Sequence, residues 1–272
     1  MDTSYTHRAR KRFGQNFLVD QNIIERIVKA ISPSPSQALI EIGPGQGAIT
    51  DKLLQQAKQL DVIEVDRDLA ALLRSRHGAN PTFTVHEMDV LKFDFDLITC
   101  PEDGYRILGN LPYNISTPLI FHLLNYHEKI KDMLFMLQLE VVNRMASDAG
   151  DKNYGRLSIM VQYYCKVERL FKVPPGSFDP APKVDSAIVK LTPYTVLPHP
   201  AQDVKTLQNV VRVAFTQRRK TLRNSLKTLL SPEQLTSIGV DGSLRPEKIS
   251  LADYVKISDF ISQQSLTEGT ET

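Results

Sequence analysis

The sequence predicts an α/β protein, an open sheet of seven strands alternating with helices, followed by a small all-helical region. Three observations carry this. From residue 38 to residue 191, short apolar runs rich in β-branched residues alternate with stretches of helical period. A glycine turn, Gly43-Pro44-Gly45-Gln46-Gly47, joins the first of those runs to a helix, as at the start of a nucleotide-binding α/β unit. Pro193 to Pro200, with three prolines, then breaks the alternation before a remainder with helical periods only. The expected division is a domain over 1–195, with a basic N-terminal arm, and a helical domain over 201–272. A chain of 272 residues is long enough for one large domain and one small one.

Taken in order, the arm carries Arg10, Lys11 and Arg12 and leads through Phe13-Gly14-Gln15-Asn16-Phe17-Leu18 to Asp20. Asp20 opens a helix with apolar positions Ile23, Ile24, Ile27, Val28 and Ile31, which the Ser-Pro repeat at 32–36 ends. Strands follow over Ala38–Ile42, Asp61–Val65, Phe83–Glu87, Tyr105–Leu108 and Met133–Leu137, with helices over Ala48–Ala57, Arg67–His77, Thr117–Leu124 and Glu140–Ala146. Ser116 reads as the cap of the third of these helices, with Pro118 in its first turn. Leu157–Tyr164 reads as a further helix, and Val167–Phe171 and Ser186–Leu191 as the last strands. The tail predicts helices over Val204–Phe215, Leu222–Leu230 and Leu251 to about Ile261, the last started by a Ser250/Asp253 capping box.

Composition narrows the class. Hydrophobic content of 42% with 24% charged residues belongs to a folded globular chain, and no apolar run is long enough to span a bilayer. No signal-peptide core follows the basic arm, so the chain reads as cytoplasmic. Cys100 and Cys165 lie far apart in no metal or redox spacing and read as buried free thiols; no metal site is expected. The net charge of +2 says little, but its distribution does. Between Arg212 and Lys227 stand Arg212, Arg218, Arg219, Lys220, Arg223 and Lys227 without one acidic residue, which favours a phosphate-contacting surface over a merely solvated face.

The candidate chemistry gathers at successive strand ends. The second strand ends in Glu64-Val65-Asp66, about 20 residues after the first glycine, where an acid would take ribose hydroxyls; Glu64 and Asp66 both qualify. The glycines run G-x-G-x-G with a proline between, which suits close approach of a mononucleoside with a small charged tail better than a pyrophosphate. Asp89, past the third strand, either caps a turn or accepts from an adenine amino group. After the fourth strand comes Gly109-Asn110-Leu111-Pro112-Tyr113-Asn114. An exocyclic adenine amine is a poor nucleophile because its lone pair is delocalised into the ring. If the Asn110 oxygen and a backbone carbonyl near Leu111 accept its two N–H bonds, the nitrogen is held toward tetrahedral geometry. Tyr113 would stack on the base. Phe178, in a proline-stiffened loop, reads on sequence alone as a packing plug rather than a ring offered to a ligand.

These segments, with Pro174 to Ser186 and Ala214-Phe215-Thr216-Gln217-Arg218-Arg219-Lys220, resemble in order the KsgA/RsmA ribosomal RNA adenine dimethyltransferases. The resemblance runs from near residue 10 to at least residue 220. It implies a class I methyltransferase, Rossmann-like: a doubly wound, mostly parallel sheet ending in an antiparallel hairpin. It implies S-adenosylmethionine as cofactor, with Asn16 and Leu18 at its methionine part, Gly43 and Gly45 approached closely, Glu64 at the ribose, Asp89 at the adenine, and Asn110 at both cofactor and target. Leu111, Pro112 and Tyr113 would complete the catalytic loop, and Phe178 would cover the other face of the target base. Arg10, Lys11, Arg12, Arg218, Arg219, Lys220 and Arg223 would meet RNA. The implied reaction is dimethylation of two adjacent adenosines in the 3′-terminal hairpin loop of small-subunit ribosomal RNA, within an immature subunit and by a monomer. The alternatives are a resistance-type methyltransferase of large-subunit RNA, a DNA adenine methyltransferase, which usually carries Asp where Asn110 stands, and an assembly checkpoint in which catalysis is secondary.

Overall fold

The structure, a computed structural model, describes residue 10 and residues 15–217 and 219–268, the last four by backbone alone. Lys11, Arg12 and Arg218 therefore lie outside the described residues. Two compact units emerge, one of residues up to Val142 with Val167–Pro193, the other of Asn143–Lys166 with the residues from Tyr194 onward.

The first unit holds a seven-stranded sheet. Its strands are β2 (Ala38–Ile42), β3 (Gln59–Glu64), β4 (Phe83–Glu87), β5 (Tyr105–Asn110), β6 (Ile130–Gln138), β7 (Cys165–Val173) and β9 (Ser186–Pro193), in the order β4-β3-β2-β5-β6-β9-β7. β4, β3, β2, β5 and β6 run parallel, and β9 pairs antiparallel with β6. The doubly wound, mostly parallel α/β fold expected from the sequence is the one observed. Its order reverses between β2 and β5, so their carboxyl ends sit side by side, with Ile42 opposite Gly109. That switch point is where open sheets bind ligands. Gly109 is needed there, because a Cβ at this position would lie 2.4 Å from the Ile42 carbonyl oxygen.

Helices cover the sheet because their apolar period demands it. α1 (Gln21–Ile31) starts where Asp20 accepts from the backbone N–H groups of Asn22 and Ile23 and stops at Ser32 in the left-handed region. It buries Ile23, Ile24, Ile27 and Ile31 in the main core, each stabilising the fold by about 1.5–3 kcal/mol. α3 (Arg67–His77) has the expected bounds and is capped by Asp66, whose side chain accepts from Asp68 N. α2 (Thr50–Leu53) is far shorter than the helix expected over 48–57, since tight i+3 turns at Lys52 and Gln56 close it on both sides. α4 (Ser116–Leu124) begins at Ile115 without a side-chain cap. Ser116 is already helical and donates its hydroxyl back to the Tyr113 carbonyl at 3.1 Å. Cys165 is buried, which pushes its thiol up to about 12, but Cys100 is exposed, against expectation.

A second ladder pairs β1 (Phe17–Leu18) antiparallel with β8 (Phe178–Asp179), matching Phe17 to Asp179 and Leu18 to Phe178. The second unit is helical apart from the start of β7 and contains α6 (Arg156–Tyr164), α7 (Val204–Ala214), α8 (Leu222–Ser225), α9 (Pro232–Ser237) and α10 (Leu251–Glu268). Asp203 caps α7, and at the start of α10 Ser250 Oγ accepts from Asp253 N at 3.1 Å and donates to the Asp253 carboxylate at 2.7 Å. The helix expected over 222–230 ends at Ser225. Leu226 and Leu230 still bury at helical spacing, but the chain between them closes in turns, and Ser231-Pro232 opens the unforeseen α9 with its own Ser231/Gln234 capping box.

Candidate active site

At the carboxyl ends of β2, β3 and β5 lies a cavity of about 420 Å³, in the range of small-molecule sites. The glycine turn, Glu64, Asp89, Asn16, Leu18 and Asn110 to Tyr113 all line it. Sequence reading and structure thus converge on one crevice. Its electrostatics are one-sided. Glu41, Glu64 and Asp89 are among its lining residues, and among the described residues no Lys or Arg lines it. Such a lining disfavours a phosphate-bearing ligand and suits one carrying net positive charge.

The glycine turn is shaped for close approach. Gly43 and Gly45 have φ of +65° and +60°, which L side chains rarely adopt, and the Phe17 ring packs so near Gly45 that a Cβ there would meet it at 3.2 Å. Glu64 is buried, with Oε1 accepting from Asp66 N at 2.9 Å and Oε2 from Gly45 N at 3.2 Å. Burial raises its pKa despite those bonds. Asp66, the other candidate for ribose, is not among the residues that line the cavity. It is fully buried, caps α3, and takes the Arg10 guanidinium at 2.9 Å and the Gln15 amide at 3.0 Å. Arg10, expected at RNA, is thereby held by Asp66 and by Asp68. Asp89 lines the cavity and also caps a 3-10 turn, one oxygen accepting from Leu91 N at 3.0 Å while the other is bonded to no described residue.

The loop after β5 offers two acceptors. Asn110 donates its Nδ2 to the Asn16 carbonyl at 3.1 Å, which fixes the amide so that Oδ1 points elsewhere, since an oxygen in the place of Nδ2 would meet another oxygen. Neither Asn110 Oδ1 nor the Leu111 carbonyl oxygen accepts a hydrogen bond from the described residues; Pro112 O is taken by Ile115 N. The Tyr113 hydroxyl lies 2.9 Å from Ser186 Oγ. Burial pushes its phenol up, an effect the Ser186 bond partly offsets. Phe178 is not brought to the cavity. It is 5% exposed, packed in the core beside β1, where Leu18 pairs with it.

Two lining or supporting residues escaped the sequence reading. Ser186 could not be found, because its partner stands 73 positions away. Glu41 left a signal, a carboxylate inside the apolar run Leu39-Ile40-Glu41-Ile42. It is 2% exposed, accepts from Thr50 Oγ1 at 2.6 Å, and burial pushes its pKa up to about 7. A group protonated more readily in the folded than in the unfolded state costs nothing below pH 4.5 and its full penalty above about 7. Glu41→Gln should therefore gain stability relative to the wild type as pH rises, by about 2–3 kcal/mol between pH 5 and pH 8 in urea melts of the ligand-free protein. A pH-independent difference would show that Glu41 is ionised throughout.

Among the described residues no cluster of three or more His, Cys, Asp or Glu could hold a metal ion, and no helix is long and apolar enough to cross a membrane. The model of the ribosomal RNA adenine dimethylase family matches residues 6–263. A protein of Pseudomonas syringae pv. tomato named ribosomal RNA small subunit methyltransferase A is 58% identical over 98% of this chain and 100% of its own. One of the same name from a Marinomonas species is 53% identical over 96% and 98%. Among solved structures, a dimethyladenosine transferase from Plasmodium falciparum superposes with a TM-score of 0.77 at 28% identity, over 93% of this chain and 98% of that one. The 23S rRNA methyltransferase ErmE gives 0.70 at 26%, over 91% and 100%.

Proposed function

Since the chain belongs to the ribosomal RNA adenine dimethylase family and is an S-adenosylmethionine-dependent dimethyltransferase of small-subunit ribosomal RNA, we propose that its targets are two adjacent adenosines in the 3′-terminal hairpin loop. We further propose that it acts in the cytoplasm, as a monomer, on an immature subunit, through a catalytic unit within 1–195 and an RNA-contacting helical part within 201–272. The observation that supports the site assignment is a cavity lined by acidic side chains and, among the described residues, by no Lys or Arg, together with two acceptors, Asn110 Oδ1 and the Leu111 carbonyl, that no described residue engages.

The cavity residues fit the cofactor, whose sulfonium and ammonium groups outweigh its carboxylate. Glu64 would hold the ribose, Asp89 the adenine through its unengaged oxygen, and Asn16, Leu18 and the glycine turn the methionine part. When bound, the cofactor supplies an electrophilic methyl group. The protein's own part is orientation. Asn110 Oδ1 and the Leu111 carbonyl accept the two amine hydrogens, which turns the nitrogen lone pair out of conjugation, and Tyr113 fixes the plane of the base. No strong base is needed, because the amine proton becomes acidic only once the nitrogen is cationic.

Glu64→Ala should weaken cofactor binding by about 1.5–3 kcal/mol, the value of a charge-assisted contact, and calorimetry reads it directly. Its raised pKa adds a pH signature. Protonation removes the charge that faces a cationic ligand, so affinity should fall as pH drops through a value above the ordinary carboxylate range, and Glu64→Gln should flatten that fall. An unchanged Kd for both variants would move the ribose contact to another residue.

The proposal as a whole is tested by radiolabelled methyl transfer to purified, unmethylated small subunits, with the modified nucleosides identified and mapped by mass spectrometry. Dimethyladenosine at two adjacent positions is expected; label at a single site, or only on large subunits, would overturn it. The large-subunit alternative is the weaker reading, given 26% identity to ErmE against 53–58% to the small-subunit relatives.

A further inference from the structure

We propose that Ser186 is a positioning residue for methyl transfer, holding the Tyr113 ring in the attitude that receives the target adenine. The inference rests on the reading above that Tyr113 stacks on the base.

Tyr113 belongs to a loop, not to the sheet, and is only partly buried, so packing alone does not set its direction. Its hydroxyl ends 2.9 Å from Ser186 Oγ, and either oxygen can donate. Ser186 is the opposite of a loop residue. It is 1% exposed, stands as the first residue of β9 and pairs with Gln138 of β6, and the preceding Asp185 carbonyl accepts from Leu139 N at 2.9 Å. β6 also pairs with β5, placing Met136 opposite Asn110. Asn110 and Ser186 are thus fixed to one rigid ladder, two strands apart. Through the hydroxyl bond the stacking ring is referred to the same frame as the amide that orients the amine.

Geometry also says what the bond controls. The tyrosine oxygen lies on the long axis of the ring, so the bond does not stop rotation about that axis; it fixes where the axis points. Losing it lets the ring swing at χ1 between staggered wells. A base could still be caught, but the fraction of bound complexes with amine, Asn110 and ring aligned would fall. Near-attack geometry is sensitive at this scale, so the loss belongs in the rate and not in affinity.

The test is a mutant cycle on the full chain with unmethylated small subunits under single-turnover conditions. Ser186→Ala and Tyr113→Phe remove the same bond from opposite sides. Each should slow methyl transfer by about 10-fold, and the double variant should be no slower than either. The Kd for S-adenosylmethionine and for the subunit should stay at wild-type values. A wild-type rate for Ser186→Ala, or single effects that multiply in the double variant, would overturn the proposal. Should Ser186→Ala melt early, Tyr113→Phe, whose ring keeps its packing, decides alone by its rate. Tyr113→Ala separates the two layers of the argument. If it methylates like wild type, the stacking role itself fails; if it is slow while Tyr113→Phe and Ser186→Ala are not, the ring matters and its tether does not.

Discussion

Asn110→Ala should lower methyl transfer by about 100-fold or more while leaving affinity for the small subunit nearly unchanged. The amide is pinned by its Nδ2 bond to the Asn16 carbonyl, so Oδ1 presents a pre-oriented acceptor that needs no reorganisation at the moment of reaction. Removing one such pre-set hydrogen bond to a developing charge typically costs 100- to 1,000-fold in rate. The cationic side chains that would meet phosphate are untouched by the change. Rapid-quench measurement of a single turnover isolates the chemical step from product release. Cofactor affinity is a second readout, because Asn110 also ties the end of β5 to Asn16, and both line the cavity. A wild-type rate would remove the Asn-Leu-Pro-Tyr loop from the catalytic role. A large rate loss with intact subunit binding also yields the tool for asking how far an assembly role survives without methylation.

Much of the first unit, strands and helices alike, was legible because its signals are local. Ala38–Ile42, Arg67–His77 and Phe83–Glu87 appear with the expected bounds, each a period of side chains flanked by a turn or a cap. The crevice was legible for a related reason. At a parallel sheet's switch point, functional residues come directly after strands, so finding the strand ends finds Gly43, Glu64, Asp89 and Asn110 together.

What stayed hidden depends on partners far away in the chain. That Asp66 is engaged by Arg10 and Gln15 depends on side chains more than 50 positions away. Phe178 takes its place from the pairing of Leu18 with the residue itself, some 160 positions on, and no pattern near Phe178 announces it. Leu222–Leu230 keeps helical spacing of its buried leucines, yet the backbone yields to turns before Ser231-Pro232, a stop signal that outweighs the period.

The same long-range effect modifies the basic run and sharpens its test. Read along the sequence, Arg212 to Lys227 lacks any counter-charge; in the fold, Arg223 N donates to the Gly242 carbonyl at 3.0 Å, and the Arg212 guanidinium donates to Asn209 Oδ1 at 2.7 Å. Arg219 and Lys220 are exposed, as are Arg223 and Lys227. Changing Arg218, Arg219, Lys220 and Arg223 together to Glu should therefore weaken subunit binding and flatten its dependence on salt. Each phosphate contact removed lowers the slope of log K against log salt by roughly 0.7–0.9, so four contacts amount to a slope change of about 3 and, at 0.1 M salt, a loss of roughly 1,000-fold. Cofactor affinity should be unchanged, since Arg219, Lys220 and Arg223 are not among the residues that line the cavity. Filter-binding titrations across a salt series give slope and affinity together. If the fourfold variant binds subunits with wild-type slope, these cations form an ordinary solvated surface, and the RNA-contacting assignment for the helical part fails with them.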